Sequence, residues 1–164
     1  MTRVAVVTGG ASGMGEAICH ELGGRGHRVA VLDLNGQAAQ RVTEELRAEG
    51  VTALAVAADV SDRAAVEEAF AKVRTELGPV HILVTSAGAV DFAPFADITL
   101  SAWQRLIDVN LTGTFHCCQV AVPDMLDAGW GRIVMISSSS AQRGSPGMAH
   151  YAASKGALLS LTKS

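Results

Sequence analysis

The sequence predicts an α/β fold, a doubly wound parallel sheet with helices on both faces. Three observations carry this expectation. Short apolar runs recur along the 164 residues, a stretch of helical period follows each, and glycine marks the turns between them. Runs that are apolar throughout, rather than alternating, belong to strands buried on both faces, the condition of a parallel sheet covered by helices.

The elements follow in order. RVAVVT at 3–8 precedes a helix over 14–25, RVAVLD at 28–33 one over 37–48, and TALAVAAD at 52–59 one over 63–77. HILVTSAG at 81–88 leads to a long helix over 103–127, and RIVMIS at 132–137 to a last segment from about 150 to the end. Ser61 is expected to cap the helix that begins near Asp62, and Ser101 with Gln104 to form a capping box ahead of Leu106 and Ile107. Gly50, Gly78-Pro79 and Gly129 to Gly131 end helices and turn the chain into the next strand. No linker or repeat interrupts this beat, so one domain over 1–164 is expected.

Composition narrows the class. Hydrophobic residues are 49% and charged residues 18%, which excludes a solvated disordered chain. The net charge of −3, with no basic block, gives no reason to expect nucleic acid or an anionic membrane as partner. No apolar run reaches the roughly 18 residues of a membrane span, and the start lacks the plan of a signal peptide, so a cytoplasmic protein is expected. Cys19, Cys117 and Cys118 form neither a metal spacing nor an even disulfide set. They read as reduced, buried apolar residues, and no metal is expected.

The first strand runs into TGGASGMG at 8–15, where Gly9, Gly13 and Gly15 fall at the turn into a helix. A side chain there would hold a phosphate away from the backbone N–H groups, whereas glycine lets it approach the positive end of the helix dipole. The bland alternative is a tight turn with close helix packing. Asp33 ends the second strand, 18 residues after Gly15. That is close to the spacing of the acid that binds an adenosine ribose in dinucleotide folds. Its carboxylate would accept both ribose hydroxyls and repel a 2′-phosphate, and neither Arg nor Lys sits in the turn or directly after Asp33 to welcome one. NAD is favoured over NADP on that ground; a turn residue or helix cap is the other reading of Asp33.

These residues resemble the short-chain dehydrogenase/reductase family. TGGASGMG looks like its TGxxxGxG turn, AADV at 57–60 like its adenine-contacting strand end, DVNLTG at 108–113 like its structural asparagine, and GRIVMISS at 131–138 like its serine strand. YAASK at 151–155 looks like its YxxxK motif. Five motifs in the family's order cover essentially the whole chain. The resemblance implies a Rossmann-type fold, a nicotinamide cofactor and a catalytic group of Ser138, Tyr151 and Lys155 supported by Asn110. It assigns cofactor contacts to Gly9, Ser12, Gly13, Met14 and Gly15 in the turn and to Asp33 and Leu34 after the second strand. Asp59, Val60, Ala87, Gly88, Asn110, Tyr151 and Lys155 complete them.

The chemistry that follows is hydride transfer between NAD(H) and a secondary alcohol or ketone. Tyr151 and Lys155, at i and i+4, share a helix face and can enter one cleft. The ammonium would favour the phenolate and hold the nicotinamide ribose, Tyr151 would carry the substrate proton, and Ser138 would hydrogen-bond the substrate oxygen. Asn110 is implied to hold a water that links Lys155 to solvent. Taken singly, each has a plainer reading: a surface Tyr/Lys contact, a polar loop in the run Ser137 to Ser140, a helix cap or bend at Asn110.

Expected pocket walls are 89–95, 139–147 and His150, with Arg143 and His150 as polar contacts; a packing or surface histidine and a solvated arginine are the alternatives. Apolar stripes run through Leu111, Phe115, Cys118, Val122 and Met125, and through Ala153, Ala157, Leu158 and Leu161. The resemblance implies that these two helices pack against a partner subunit in a homodimer or homotetramer, and burial against the chain's own sheet is the alternative.

Two departures from the family stand out. TSAG at 85–88 replaces the usual Asn-Asn-Ala-Gly, leaving Thr85 one hydroxyl for a backbone contact and predicting a somewhat less stable central sheet. The chain also stops after the fifth strand and the start of the next helix, where family members commonly add two more strands and a substrate-covering segment. The 164 residues are therefore expected to be the N-terminal portion of a longer enzyme, and a catalytically silent NAD-binding domain with a binding or assembly role is the competing reading.

Overall fold

The computed structural model describes residues 2–164. Five parallel strands, β1 (Val4–Thr8), β2 (Arg28–Asp33), β3 (Ala53–Ala57), β4 (Val80–Thr85) and β5 (Arg132–Met135), form one sheet in the order β3-β2-β1-β4-β5. The chain builds outward from β1 through β2 to β3, then returns to the other side of β1 for β4. That reversal opens a crevice beyond the carboxyl ends of β1 and β4, the place where open α/β sheets bind ligands.

The helices are α1 (Gly13–Gly24), α2 (Gly36–Ala48), α3 (Arg63–Glu76), α4 (Leu100–Ile107), α5 (Gly113–Asp127), α6 (Ser140–Arg143) and α7 (Ala149–Leu161). Although β1 is buried along its whole length, its side chains still alternate between two cores. Val4 and Val6 join Ala30, Leu32 and Leu83 on the face covered by α3 and α5. Ala5 and Val7 join Val29, Val31, Ile82 and Val84 on the face covered by α1 and α2. Phe70 of α3 is wholly inaccessible in the first core, a burial worth roughly 1.5–3 kcal/mol. Apolar side chains on both strand faces thus decide the two-layered packing, and the fold is a Rossmann-like α/β fold as the sequence led us to expect.

Three local expectations are corrected. The cap of α3 is Asp62, whose carboxylate accepts from Ala64 N and Ala65 N, while the Ser61 hydroxyl donates to Asp59 at 2.7 Å. The cap of α4 is Thr99, accepting from Ala102 N at 3.1 Å, so the Ser101–Gln104 box does not form. Gln104 instead donates forward to Asp108. In both cases a side chain slightly displaced along the chain reaches the free N–H groups first, because the cap is chosen by where the backbone leaves the extended region. The third correction concerns the long helix, which begins at Leu100 and is interrupted by a π turn over Asp108–Thr112.

At the sheet's edge, β5 pairs with β4 and leaves Val134 49% exposed. The partner stripes divide: Met125 and Leu158 are buried in the chain itself, while Phe115 and Ala153 are exposed and Leu111, Cys118, Val122, Ala157 and Leu161 are partly covered. Burial pushes the Cys19 and Cys117 thiols up to about 12 and Cys118 to about 11, which keeps them protonated. All three are free; Cys19 and Cys117 are buried as expected, whereas Cys118 is only partly covered. Among the described residues, no helix is long and apolar enough to cross a membrane.

Candidate active site

The crevice at the strand reversal is a cavity of about 1000 Å³. Its walls include Gly9, Ser12, Gly13 and Met14 from the first turn, Asp33 and Leu34 from the end of β2, Asp59 and Val60 from the end of β3, and Ala87 and Gly88 from the end of β4. Residues from four segments far apart in sequence therefore surround one space.

Each wall has a local cause. Gly9 adopts φ of +64°, and a Cβ there would lie 2.7 Å from both Cα and N of Ala87, so glycine alone permits the β1 and β4 exits to touch. A Cβ at Gly15 would run into the Gly9 carbonyl; Gly15 lies under the turn and packs it rather than lining the cavity. The Asp33 carboxylate accepts from Ala11 N at 3.1 Å and from Asn35 N at 2.9 Å. Two backbone donors thus orient it, and lone pairs remain for a ligand. The Thr8 hydroxyl accepts from Ala87 N at 3.2 Å, closing the β1–β4 exits at their base.

Asn110 is wholly buried in the π turn. Its Oδ1 accepts from Ala89 N at 2.8 Å, while Nδ2 donates to Ala89 O and to Ser154 Oγ, both at 2.9 Å. Ser154 Oγ in turn donates to Tyr151 O at 2.8 Å. Both amide protons of Asn110 are therefore engaged by protein, and the side chain fastens the β4 exit to α7.

Lys155 is 4% exposed, and its Nζ donates to Ile136 O at 2.8 Å. Burial lowers the affinity of this amine for its proton. A Cβ at Gly88 would stand 3.3 Å from Lys155 Nζ and 3.2 Å from Asn110 Oδ1, so the lysine and the asparagine lie directly behind the cavity's Gly88 wall. Ser137 Oγ donates to Lys155 O at 2.8 Å, a second tie between the β5 exit and α7. Ser138 follows in that same exit and shares a 3.0 Å hydroxyl contact with Ser140. Tyr151 is partly buried on α7, a turn ahead of Lys155. The cavity wall itself presents the glycine turn and the carboxylates of Asp33, Asp59 and Asp108, with Lys155 and Asn110 behind Gly88, while Ser138 and Tyr151 are not among its lining residues.

Two expected features differ. His150 is 0% exposed, and neither ring nitrogen has a partner, so it is a packed residue rather than a pocket wall. Thr85 is 2% exposed, and its hydroxyl makes none of the backbone contacts expected of it. Arg143 is exposed, while the two loops predicted as pocket walls do meet, Ala93 N donating to Gly147 O at 2.9 Å.

Sequence reasoning missed one wall. Ser101, Gln104, Arg105 and Asp108 line the cavity from α4 and the π turn, with Arg105 paired to Asp91 at 3.1 Å. Their spacing of three, four and seven residues marks one helix face, and that polar stripe was the available signal.

Comparison with known proteins agrees with the geometry. Residues 3–164 match the model of the short chain dehydrogenase family. The chain belongs to that family. Within it, this short-chain dehydrogenase homologue is 42% identical over 163 residues to the 2-dehydro-3-deoxy-L-rhamnonate dehydrogenase (NAD(+)) of Sphingomonas sp., covering 99% of this chain and 64% of that protein. It is 37% identical over 161 residues to the D-threitol dehydrogenase of Mycolicibacterium smegmatis, covering 98% and 62%. It is likewise 37% identical over 161 residues to the acetoacetyl-CoA reductase of Cupriavidus necator, covering 98% and 65%. The chain thus spans a little under two thirds of the length of these curated relatives, and as a family member it is an oxidoreductase homologue.

Proposed function

We propose that the chain carries the NAD-binding and catalytic side chains of an oxidoreductase that moves a hydride between NAD(H) and a secondary alcohol or ketone. One observation carries the reading: Lys155 lies behind Gly88 at the wall of a cavity that the Asp33 carboxylate also lines.

The residues fit the cofactor. The open glycine turn and the amino end of α1 offer backbone donors to a pyrophosphate. Asp33, oriented by Ala11 and Asn35, accepts the hydroxyls of the adenosine ribose and disfavours a 2′-phosphate. Asp59 and Val60 border the adenine end. The name of the rhamnonate relative includes NAD(+), in line with this choice.

Bound here, NAD(H) would supply hydride transfer to or from the carbon that bears the substrate oxygen. Tyr151 takes the hydroxyl proton as the carbon–oxygen double bond forms, or gives it to the alkoxide in reduction. The ammonium of Lys155 would favour the phenolate electrostatically and would hold the nicotinamide ribose. Ser138 donates to the substrate oxygen and stabilises its developing charge. Asn110 keeps the β4 exit and α7 in register, and a water joining Lys155 to solvent belongs to the same reading.

The relatives' names span rhamnonate, threitol and acetoacetyl-CoA, which supports an alcohol or ketone class without choosing a member. The exposed apolar positions Phe115 and Ala153 suit a homodimer or homotetramer in a cytoplasmic setting.

The test follows NADH absorbance with a panel of small secondary alcohols and ketones, beside a Tyr151→Phe variant. Turnover reduced at least about 100-fold by the variant, with NADH binding retained, is the expected result. NADH binding without turnover of any panel member would replace this reading with a catalytically silent binding domain.

A further inference from the structure

We propose that Arg41 is a positioning residue for the dinucleotide site, holding the glycine turn in shape from the neighbouring helix α2. The inference rests on the NAD-binding reading given above. Neither the glycine spacing nor the family motifs point to Arg41, which lies eight residues beyond Asp33.

The Arg41 guanidinium gathers three partners. Nη1 donates to Glu16 Oε1 at 3.0 Å and to Glu45 Oε1 at 2.8 Å; Nη2 donates to Glu16 Oε2 at 3.1 Å and to the carbonyl oxygen of Ala11 at 3.1 Å. Glu16 belongs to the first turn of α1, so the forked contact ties α2 to the helix end that faces the pyrophosphate. Ala11 sits in the turn between Gly9 and Gly13 and is 3% exposed. Its carbonyl is held by Arg41 and its N–H by Asp33 at 3.1 Å. The residue before it is pinned as well, Gly10 N donating to Leu32 O at 3.1 Å.

The turn is consequently fixed at three consecutive polar points, two of them side chains on opposite sides of Ala11. Glycine flanks these points, so the segment has little conformational preference of its own to keep its N–H groups converged. The two glutamates hold Arg41 charged and aimed, and Arg41 in turn holds Glu16 below the usual carboxylate range. Arg41 is half exposed and its ion pairs add little to global stability. Its effect falls on loop geometry, which separates a positioning role from a merely structural one.

The experiment titrates NADH fluorescence with the wild-type chain and with Arg41→Met, Arg41→Lys and Glu16→Gln variants, and measures amide exchange over residues 10–15 without ligand. Arg41→Met is expected to raise the NADH Kd about 5-fold and to speed exchange in the turn, with the melting temperature nearly unchanged. Lysine keeps the charge but cannot form the fork, so it recovers only part of the loss. Glu16→Gln, which leaves Arg41 in place with weaker support, is expected to move both readouts in the same direction by less. Unchanged Kd and exchange in Arg41→Met, or full recovery by lysine, would overturn the proposal. Failure of the wild-type chain to bind NADH would instead strike at the NAD reading, and the exchange comparison would still decide whether Arg41 holds the turn.

Discussion

The side-chain nitrogen of Lys155 donates to the carbonyl oxygen of Ile136 at 2.8 Å, joining the middle of α7 to the chain as it leaves β5. That bond fixes where the ammonium stands relative to Gly88 and the cavity, and it is made by a lysine that is almost wholly buried. An ammonium with one protein acceptor and little water carries a desolvation cost.

The cost gives a pH dependence with a definite sign. Burial holds Lys155 below the ordinary lysine value of 10.5. Below its folded-state titration, both folded and unfolded chains are protonated and the whole cost is present. From there up to 10.5 the unfolded chain binds more protons, so stability rises with pH across that window. Lys155→Met, which keeps the stem and removes the charge, is expected to be more stable than wild type at pH 7 in urea denaturation without cofactor. The difference should shrink toward pH 10.5, while turnover is lost; a variant less stable than wild type at pH 7 would contradict this account.

Asn110 is the structural bracket of the site. Asn110→Leu leaves the Ala89 N–H and carbonyl without their partner and frees Ser154, in a position with no exposure. A loss of about 3 kcal/mol in urea denaturation is expected. A loss well below 1 kcal/mol would show that water replaces the amide at no cost.

On the proposed NAD reading, Asp33 is the residue expected to set the choice of dinucleotide. Asp33→Asn keeps one acceptor for Ala11 N but gives up the negative charge that disfavours a 2′-phosphate. The ratio of NADPH to NADH affinity is expected to rise about 10-fold in paired fluorescence titrations, driven by weaker NADH binding. An unchanged ratio would remove Asp33 from cofactor selection.

Thr85 carries a buried hydroxyl with no partner at the carboxyl end of β4. Thr85→Val replaces it with a methyl of the same shape and is expected to stabilise the chain by about 1 kcal/mol. Denaturation midpoints of the two proteins check this directly, and a destabilised valine variant would reveal a partner for the hydroxyl in solution.

Much of the fold was legible because its causes are local. All five strands were located by continuous apolar runs, since a strand covered on both faces has to be apolar at every position. Ten of the expected cofactor residues line one cavity, since glycine and a terminal carboxylate mark the ends of strands wherever the sheet brings them. The caps at Asp62 and Thr99 were misread, because several polar residues near a helix start compete and backbone geometry selects among them. The polar face from Ser101 to Asp108 was overlooked because a solvated helix face and a cavity wall have the same sequence pattern.

By itself, the sequence determined the alternation of strands and helices, the glycine turn and the order of the polar groups, all consequences of residue chemistry repeated at short range. Only the tertiary structure decided that Arg41 holds Ala11, that Asn110 spans Ala89 and Ser154, that Lys155 meets Ile136, and that Thr85 and His150 are buried without partners. Those outcomes depend on distances between segments that are brought together by core packing, and a hydrogen bond forms or fails over differences of a few tenths of an ångström that no linear pattern encodes.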